Sequence, residues 1–254
     1  MKIHILSDLH LEHLPLHLRV GFFARLDEFI KDNPADTCVL AGDLGSLYDF
    51  DKYLGYMREF GERYKNVVMT TGNHEYYGLS IEAGNALLRV SLPKLDTQNI
   101  HFLEPGKLVE IEGLTFGGGT GWYPDCDNET LKLYWIDYSH VSDIDPSAYD
   151  HNRAFKKENF NGQVDVMVSH MLPTEECVGA RWRSSTTNAF FLMDLETKLS
   201  HIRKEAMPKL WICGHTHDPK DFVSKYGFRV YCNAKGYPAE NANRGFWDQI
   251  AVEV

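Results

Sequence analysis

Short apolar runs rich in Val, Ile and Leu recur along the chain at KIHILSD, TCVLAGD, NVVMTTGN, DVMVSH and KLWICGH, and each breaks at its C-terminal end into Asp, Gly, Asn or His. Unbroken apolarity over a few residues is the mark of a strand covered on both faces, so the polar residues that follow are placed along one sheet edge. Helical spacing fills the intervals between the first three runs, as in VGFFARLDEFIKDN, where Phe22, Phe23, Leu26, Phe29 and Ile30 share a face. Such alternation predicts a layered α/β fold, in which ligands gather outside the carboxyl ends of the strands.

The middle and end of the chain read differently. KLVEIEGLTFGGG and FVSKYGFRVYCNAKGY each suggest two strands around a tight turn, at Glu112-Gly113 and Tyr226-Gly227, and QIAVEV supplies a further strand. A second, more antiparallel sheet is therefore expected. Residues 123–161 are polar and aromatic and read as loop plus short helices, a flap over a site. NAFFLMDLETKLSHIRK has the spacing of a strong amphipathic helix. With no repeat and no linker composition, residues 1–254 read as a single domain with 123–161 as a cap insertion.

Composition narrows the class. At 254 residues and 43% hydrophobic, the chain can bury a sizeable core. Five scattered cysteines without a C-x-x-C motif suggest neither a disulfide framework nor a thiolate zinc site. A formal charge of −10 argues against a broad basic surface for long nucleic acid, whereas bound cations would offset part of it. No run approaches the roughly 20 apolar residues of a membrane span, and Met1-Lys2 leads straight into a strand, so a cytoplasmic protein without a membrane partner is expected.

The polar tips carry the chemistry: Asp8 and His10 in SDLH, Asp43 in AGDL, Asn73 and His74 in TGNHE, His170 in VSHM, and His215 and His217 in CGHTH. Taken singly, Asp43 reads as a helix cap, Asn73 as a turn and His170 as a core histidine. Together, two carboxylates, one amide and four imidazoles, with His74 in addition, form a mixed oxygen and nitrogen donor set suited to divalent Mn, Fe, Zn, Ni or Co. Seven such side chains exceed what one catalytic ion with open positions takes, so two cations fit better.

D-x-H, G-D, G-N-H-[DE], a strand-ending His and G-H-x-H, in this order from Asp8 to His217, resemble the calcineurin-like metallophosphoesterase family. Within it, GGGTGWYPD, YWIDYSHV, SHMLPTEECV and CNAKGYPAEN are similar to a bacterial and phage branch of phosphohydrolases. The resemblance implies a two-sheet β-sandwich flanked by helices, with mixed sheets. It implies one metal on Asp8, His10, Asp43 and His217 and another on Asp43, Asn73, His170 and His215, with Asp43 bridging and Mn the first choice. Asn73 and His74 would also face the substrate, His74 protonating the leaving-group oxygen. Two ions about 3.5–4 Å apart would activate a bridging hydroxide for in-line attack and neutralise phosphate charge.

Departures from the family shape the expected substrate. GDLGSL lacks the Asp-Arg-Gly of phosphoprotein phosphatases, and no arginine closely follows GNHE, so a small-molecule phosphodiester or phosphoanhydride is favoured over a monoester or a phosphoprotein. Arg181 and Arg183 in GARWRSS are candidate phosphate contacts. A nuclease is the enzymatic rival, disfavoured by the acidity, and a non-catalytic scaffold is the rival from another class, disfavoured by the complete donor set. His4 and His101 fall in strands, while His13, His17, His140, His151 and His201 lack a motif. Glu75 reads as a partner that orients a ligand.

Overall fold

The computed structural model describes residues 1–240 and 245–254. The first half winds β1 (Lys2–Leu6), α1 (Leu16–Asp32), β2 (Thr37–Ala41), α2 (Phe50–Arg63), β3 (Asn66–Thr70), α3 (Ile81–Ser91) and β4 (Ile100–Phe102) into a sheet in which β1 to β4 run parallel. The second sheet takes β5 (Leu108–Ile111), β6 (Leu114–Gly118), β7 (Val166–Val168), β8 (Leu210–Ile212), β9 (Lys220–Val223) and β10 (Arg229–Cys232) in the order β5-β6-β7-β8-β10-β9.

The two sheets pack face to face because their strands alternate. Ile3, Ile5, Val39 and Val68 of the first sheet meet Phe116, Val166, Val168, Leu210 and Ile212 of the second in one buried cluster. The residues between them point outward: Leu6, Leu40 and Met69 join Phe23, Leu26, Met57 and Phe60 of α1 and α2, while Met167 and Trp211 join Phe155 on the opposite face. Full burial of each large apolar side chain contributes about 1.5–3 kcal/mol, so the layering follows from the strand pattern. Among the described residues, no helix is long and apolar enough to cross a membrane.

Four expectations need correction. The second sheet is not predominantly antiparallel: β6/β7, β7/β8 and β8/β10 are parallel, and only its outer pairs β5/β6 and β10/β9 are antiparallel. The strand of QIAVEV, β11 (Ala251–Glu253), pairs antiparallel with β1 and so belongs to the first sheet. The polar tips consequently come from the ends of strands in both sheets, not from one edge. The NAFFLMDLETKLSHIRK segment is helical only at α7 (Glu196–His201), after a 3-10 turn at Thr186–Phe190. Its middle is drawn out of helix because Leu172 and Leu192 form a bridge, with Leu172 N–H donating to Phe191 O (2.9 Å) and Met193 N–H to Leu172 O (3.1 Å). Helical spacing there lost to tertiary pairing.

In 123–161 the short helices α4 (Glu129–Tyr134) and α5 (Ile136–His140) are present, but a longer α6 (Ile144–Glu158) follows them. Pro146 at its start disguised it, and Ala148, Tyr149, Asn152 and Phe155 form its buried stripe.

Candidate metal centre

The ends of β1, β2 and β3 in one sheet and β7 and β8 in the other converge on one group of polar side chains. The turns that present them are unusual: Asp8, His10, Asp43, His215 and His217 all hold φ between 46° and 69°, five of the eight described non-glycine residues with positive φ. Each left-handed residue costs on the order of 1–2 kcal/mol, a strain that marks functional sites. Two glycines serve by being small. A Cβ on Gly72 would run into Asp43 Oδ1, and one on Gly214 would lie 2.6 Å from Asp8 Oδ2.

Donor atoms of Asp8, His10, Asp43 and His217 lie within 4.8 Å of one another, as do those of Asp43, His170 and His215. Asp43 Oδ2 stands 3.7 Å from His10 Nε2 and 3.3 Å from His170 Nε2, so it is common to both groups. Asp8 Oδ1 is 3.3 Å from His217 Nε2 and accepts the backbone N–H of His215 at 2.9 Å. Asn73 immediately precedes His74, whose N–H donates to Asp43 Oδ1 at 3.0 Å.

The ring orientations suit cation binding. His170 directs Nδ1 to the carbonyl of Ala41 (2.9 Å), His217 directs Nδ1 to Glu240 Oε2 (2.6 Å), and His10 turns Nδ1 toward Glu12 Oε1 (3.4 Å). Protons on those nitrogens leave every Nε2 as a lone pair facing the cluster. His10 Nε2 and His217 Nε2 are then 3.1 Å apart, a repulsive contact unless positive charge lies against it. His170 Nε2, His215 Nε2 and Asn73 Oδ1 are buried without a hydrogen-bond partner among the described residues. Unsatisfied buried acceptors are costly, and a divalent cation satisfies them together. The residues present therefore fit metal ions.

Electrostatics agree. Burial opposes charge on Asp8 and Asp43, but the surrounding imidazoles outweigh it, holding the Asp8 carboxyl at about 2 and that of Asp43 well below its usual range. Burial also opposes protonation of His170 and His217, yet Asp43 and Asp8 lift them to about 10 and about 9, so without a cation these rings take a second proton at Nε2, the positive charge that a bound metal ion would replace. Burial, reinforced by His170, lowers His215 to about 3 and keeps it neutral.

The next layer of residues was only partly visible in the sequence. Buried Glu75, read there as an orienting partner, accepts N–H bonds from Gly72 (2.7 Å), Asp43 (3.0 Å) and Leu44 (2.8 Å), tying the β2 and β3 turns together. Asp137 was missed. Fully buried, it accepts from Asn73 Nδ2 (2.9 Å), Tyr77 OH (2.7 Å), Tyr123 OH (3.0 Å) and Trp135 Nε1 (2.9 Å), which fixes the Asn73 amide with Oδ1 free. Glu12, Tyr237 and Glu240 were also missed, although Glu12 follows His10 by two residues. Asp137 lies within YWIDYSHV, a motif that by itself assigns it no role, because apart from the neighbouring Trp135 its partners come from Asn73, Tyr77 and Tyr123.

His74 stands beside the cluster with Nδ1 3.7 Å from Glu12 Oε1 and Nε2 2.9 Å from the Tyr237 hydroxyl. Burial lowers its affinity for a proton, but Asp43 and Glu12 more than compensate, so it titrates above the ordinary histidine value. A cavity of about 410 Å³ opens here, with Asp43, His74, His215 and His217 at its floor. Its walls include Trp135, Ile136, Leu172, Trp182 and Phe191, and Arg181 reaches its lining, whereas exposed Arg183 does not. His13 is exposed, 3.4 Å from Glu12.

No curated protein sequence matches this chain. Among solved structures, phosphopantetheinyl hydrolase from Mycobacterium tuberculosis is similar at 15% identity, covering 93% of this chain and 90% of that one with a TM-score of 0.67. A dimetal phosphatase from Danio rerio is similar at 14% identity, covering 91% of this chain and 86% of that one with a TM-score of 0.51. At these identities the likeness is one of fold, a two-sheet sandwich flanked by helices. The family model for calcineurin-like phosphoesterases matches residues 1–219, which include every candidate metal ligand, and this chain belongs to that metal-dependent family of phosphate-ester hydrolases.

Proposed function

We propose that this protein hydrolyses small-molecule phosphodiesters or phosphoanhydrides, using two divalent ions of which manganese is the first candidate. The observation that carries the reading is the pairing of a floor of converging, partnerless ligand atoms with apolar cavity walls. Asp8, His10, Asp43 and His217 would hold one ion, and Asp43, Asn73, His170 and His215 the other. Bound there, the ions would supply Lewis-acid charge for the phosphoryl oxygens and an activated water.

The chain's own groups do the rest. Asn73 is oriented by Asp137, and His74 is placed between Glu12 and Tyr237, at the cavity floor, to give a proton to the departing oxygen. Trp135, Ile136, Trp182 and Phe191 offer surface for the organic groups of an ester, and Arg181 offers one fixed cation at the lining. A dianionic monoester or a phosphoprotein would favour more fixed positive charge, which supports the diester. The segment 123–161, which supplies Trp135 and Ile136, acts as a wall and cap in this reading. The protein works in the cytoplasm, without membrane or long nucleic acid.

The test is hydrolysis of bis(p-nitrophenyl) phosphate, p-nitrophenyl phosphate, cyclic nucleotides and a short oligonucleotide with Mn²⁺, Ni²⁺ or Zn²⁺. The bis-aryl ester with Mn²⁺ should be cleaved fastest. Absence of turnover on every substrate with every metal would sink the reading, and preference for the oligonucleotide would replace it with a nuclease.

A further inference from the structure

CNAKGYPAEN lies beyond the residues matched by the family model, and the reaction as described assigns no role to most of it. The path of residues 232–240 within it is closely determined. After β10, Asn233 Nδ2 donates to the Ile5 carbonyl (2.9 Å) and Ser7 N–H donates to the Asn233 carbonyl (3.1 Å). Lys235 N–H then bonds Ser7 O (3.0 Å), and Gly236 N–H bonds Asp8 O (3.0 Å). The segment is thereby zipped onto the end of β1, the strand that presents Asp8. Gly236, at φ 71°, makes a turn that side-chain-bearing residues rarely adopt and sends Tyr237 over the site.

Tyr237 is then held on three sides. Its ring stacks on His10, with centroids 4.3 Å apart, and meets His217 edge-on at 4.8 Å. Its backbone N–H donates to Glu240 Oε2 at 2.9 Å, the same oxygen that faces His217 Nδ1. With the ring fixed, the hydroxyl has a defined place, 2.9 Å from His74 Nε2, while Glu12 lies on the opposite, Nδ1 side of that imidazole.

We infer that Tyr237 is a positioning residue for the reaction: in the free site its hydroxyl bonds His74 Nε2 and fixes the rotation of the imidazole, and the departing oxygen takes the place of that hydroxyl as acceptor of the same Nε2 proton. This rests on the reading of His74 as proton donor to the leaving group. A hydroxyl both accepts and donates, so it can release the His74 N–H to the departing oxygen and keep its own O–H for a bond to the ester. The stack on His10 and the hydroxyl contact to His74 link the metal side of the site to the proton side through a single residue.

Tyr237→Phe removes the hydroxyl and keeps the stack. In the Mn²⁺-loaded protein it should lower kcat about tenfold on methyl phenyl phosphate, a poor leaving group, and clearly less on methyl p-nitrophenyl phosphate, with KM little changed. Calorimetric titration with Mn²⁺ should give the wild-type affinity for Tyr237→Phe and a weaker one for Tyr237→Ala, which also loses the ring packed on His10 and His217. Equal losses on both esters, or a rate on the phenyl ester at or above wild type, would overturn the inference. His74→Ala separates the two levels. If His74→Ala discriminates between the esters and Tyr237→Phe does not, the inference alone fails. If His74→Ala does not discriminate, the reading of His74 fails with it.

Discussion

The two halves of the candidate site orient their side chains by different means. Around His170, His215 and Asn73 the protein uses its interior: the Ala41 carbonyl takes His170 Nδ1, and Asp137, buried among four donors, fixes Asn73. Around His10 and His217 it uses loop carboxylates, Glu12 and Glu240, the latter 42% exposed at its side chain. One half is built into the sandwich and cannot be loosened without loosening the fold. The other is adjusted from the rim, where a substitution alters the metal site and leaves the core untouched.

The residue common to both halves should produce the largest effect. Asp43→Ala removes the oxygen that faces His10 and His170 alike. Metal content should fall at both positions together, and activity should drop by more than the roughly 10–100-fold that loss of an outer partner costs. Elemental analysis of the purified variant after Mn²⁺ loading is the check. Retention of one ion per chain would break the symmetry of the bridge.

Asp137→Ala should come next, and it attacks the interior half through the fold. It leaves Asn73 Nδ2, the hydroxyls of Tyr77 and Tyr123 and the Trp135 indole N–H without their acceptor. The expected destabilisation is about 3 kcal/mol or more, measured by urea unfolding of the metal-free protein, with Mn²⁺ affinity lowered about 10–100-fold. Weakened Mn²⁺ binding at unchanged stability would show that Asp137 acts on the metal side alone.

These two variants also mark how far the sequence reaches. Asp43 was legible as a candidate ligand because a polar donor after a buried strand is a local pattern, repeated at Asp8, Asn73, His170 and His215. The strands themselves were legible for the same reason. Asp137 was not, because its importance arises from donors at Asn73, Tyr77, Tyr123 and Trp135 brought together by packing. The same cause hid the second sheet's parallel core: β8 pairs with β10 across the intervening β9, and no local pattern encodes that register. Tyr237 and Glu240 lay in a motif seen but given no role, since nothing in CNAKGYPAEN reveals that Gly236 turns the chain back over Asp8.

Glu240→Gln tests the rim half with a smaller expected effect. It keeps an acceptor for the Tyr237 N–H but removes the charge beside His217 Nδ1. Mn²⁺ affinity should fall about tenfold at one of the two positions, and unfolding free energy should stay within about 0.5 kcal/mol of wild type. Stability loss comparable to that of Asp137→Ala would erase the distinction between the halves.

The smallest effect is expected at His4, an imidazole with neither kind of support and so a reference for both. It is buried in β1, with Nδ1 2.9 Å from the Tyr64 hydroxyl, and burial lowers its pKa from the usual 6.5 to about 4. The folded state thus keeps His4 neutral where the unfolded chain binds a proton. Its contribution to stability is complete above pH 6.5 and is lost as pH falls toward 4. At pH 5 the loss should be about 1 kcal/mol after allowance for solvent screening. Because carboxylates titrate in the same range, the measurement is a difference: urea unfolding of wild type and His4→Phe, both metal-free, at pH 7 and pH 5. The wild type should lose more stability than the variant over that interval. Equal losses would mean that His4 takes up its proton in the folded strand as readily as in the unfolded chain, and that burial alone does not set the protonation of an imidazole in this fold.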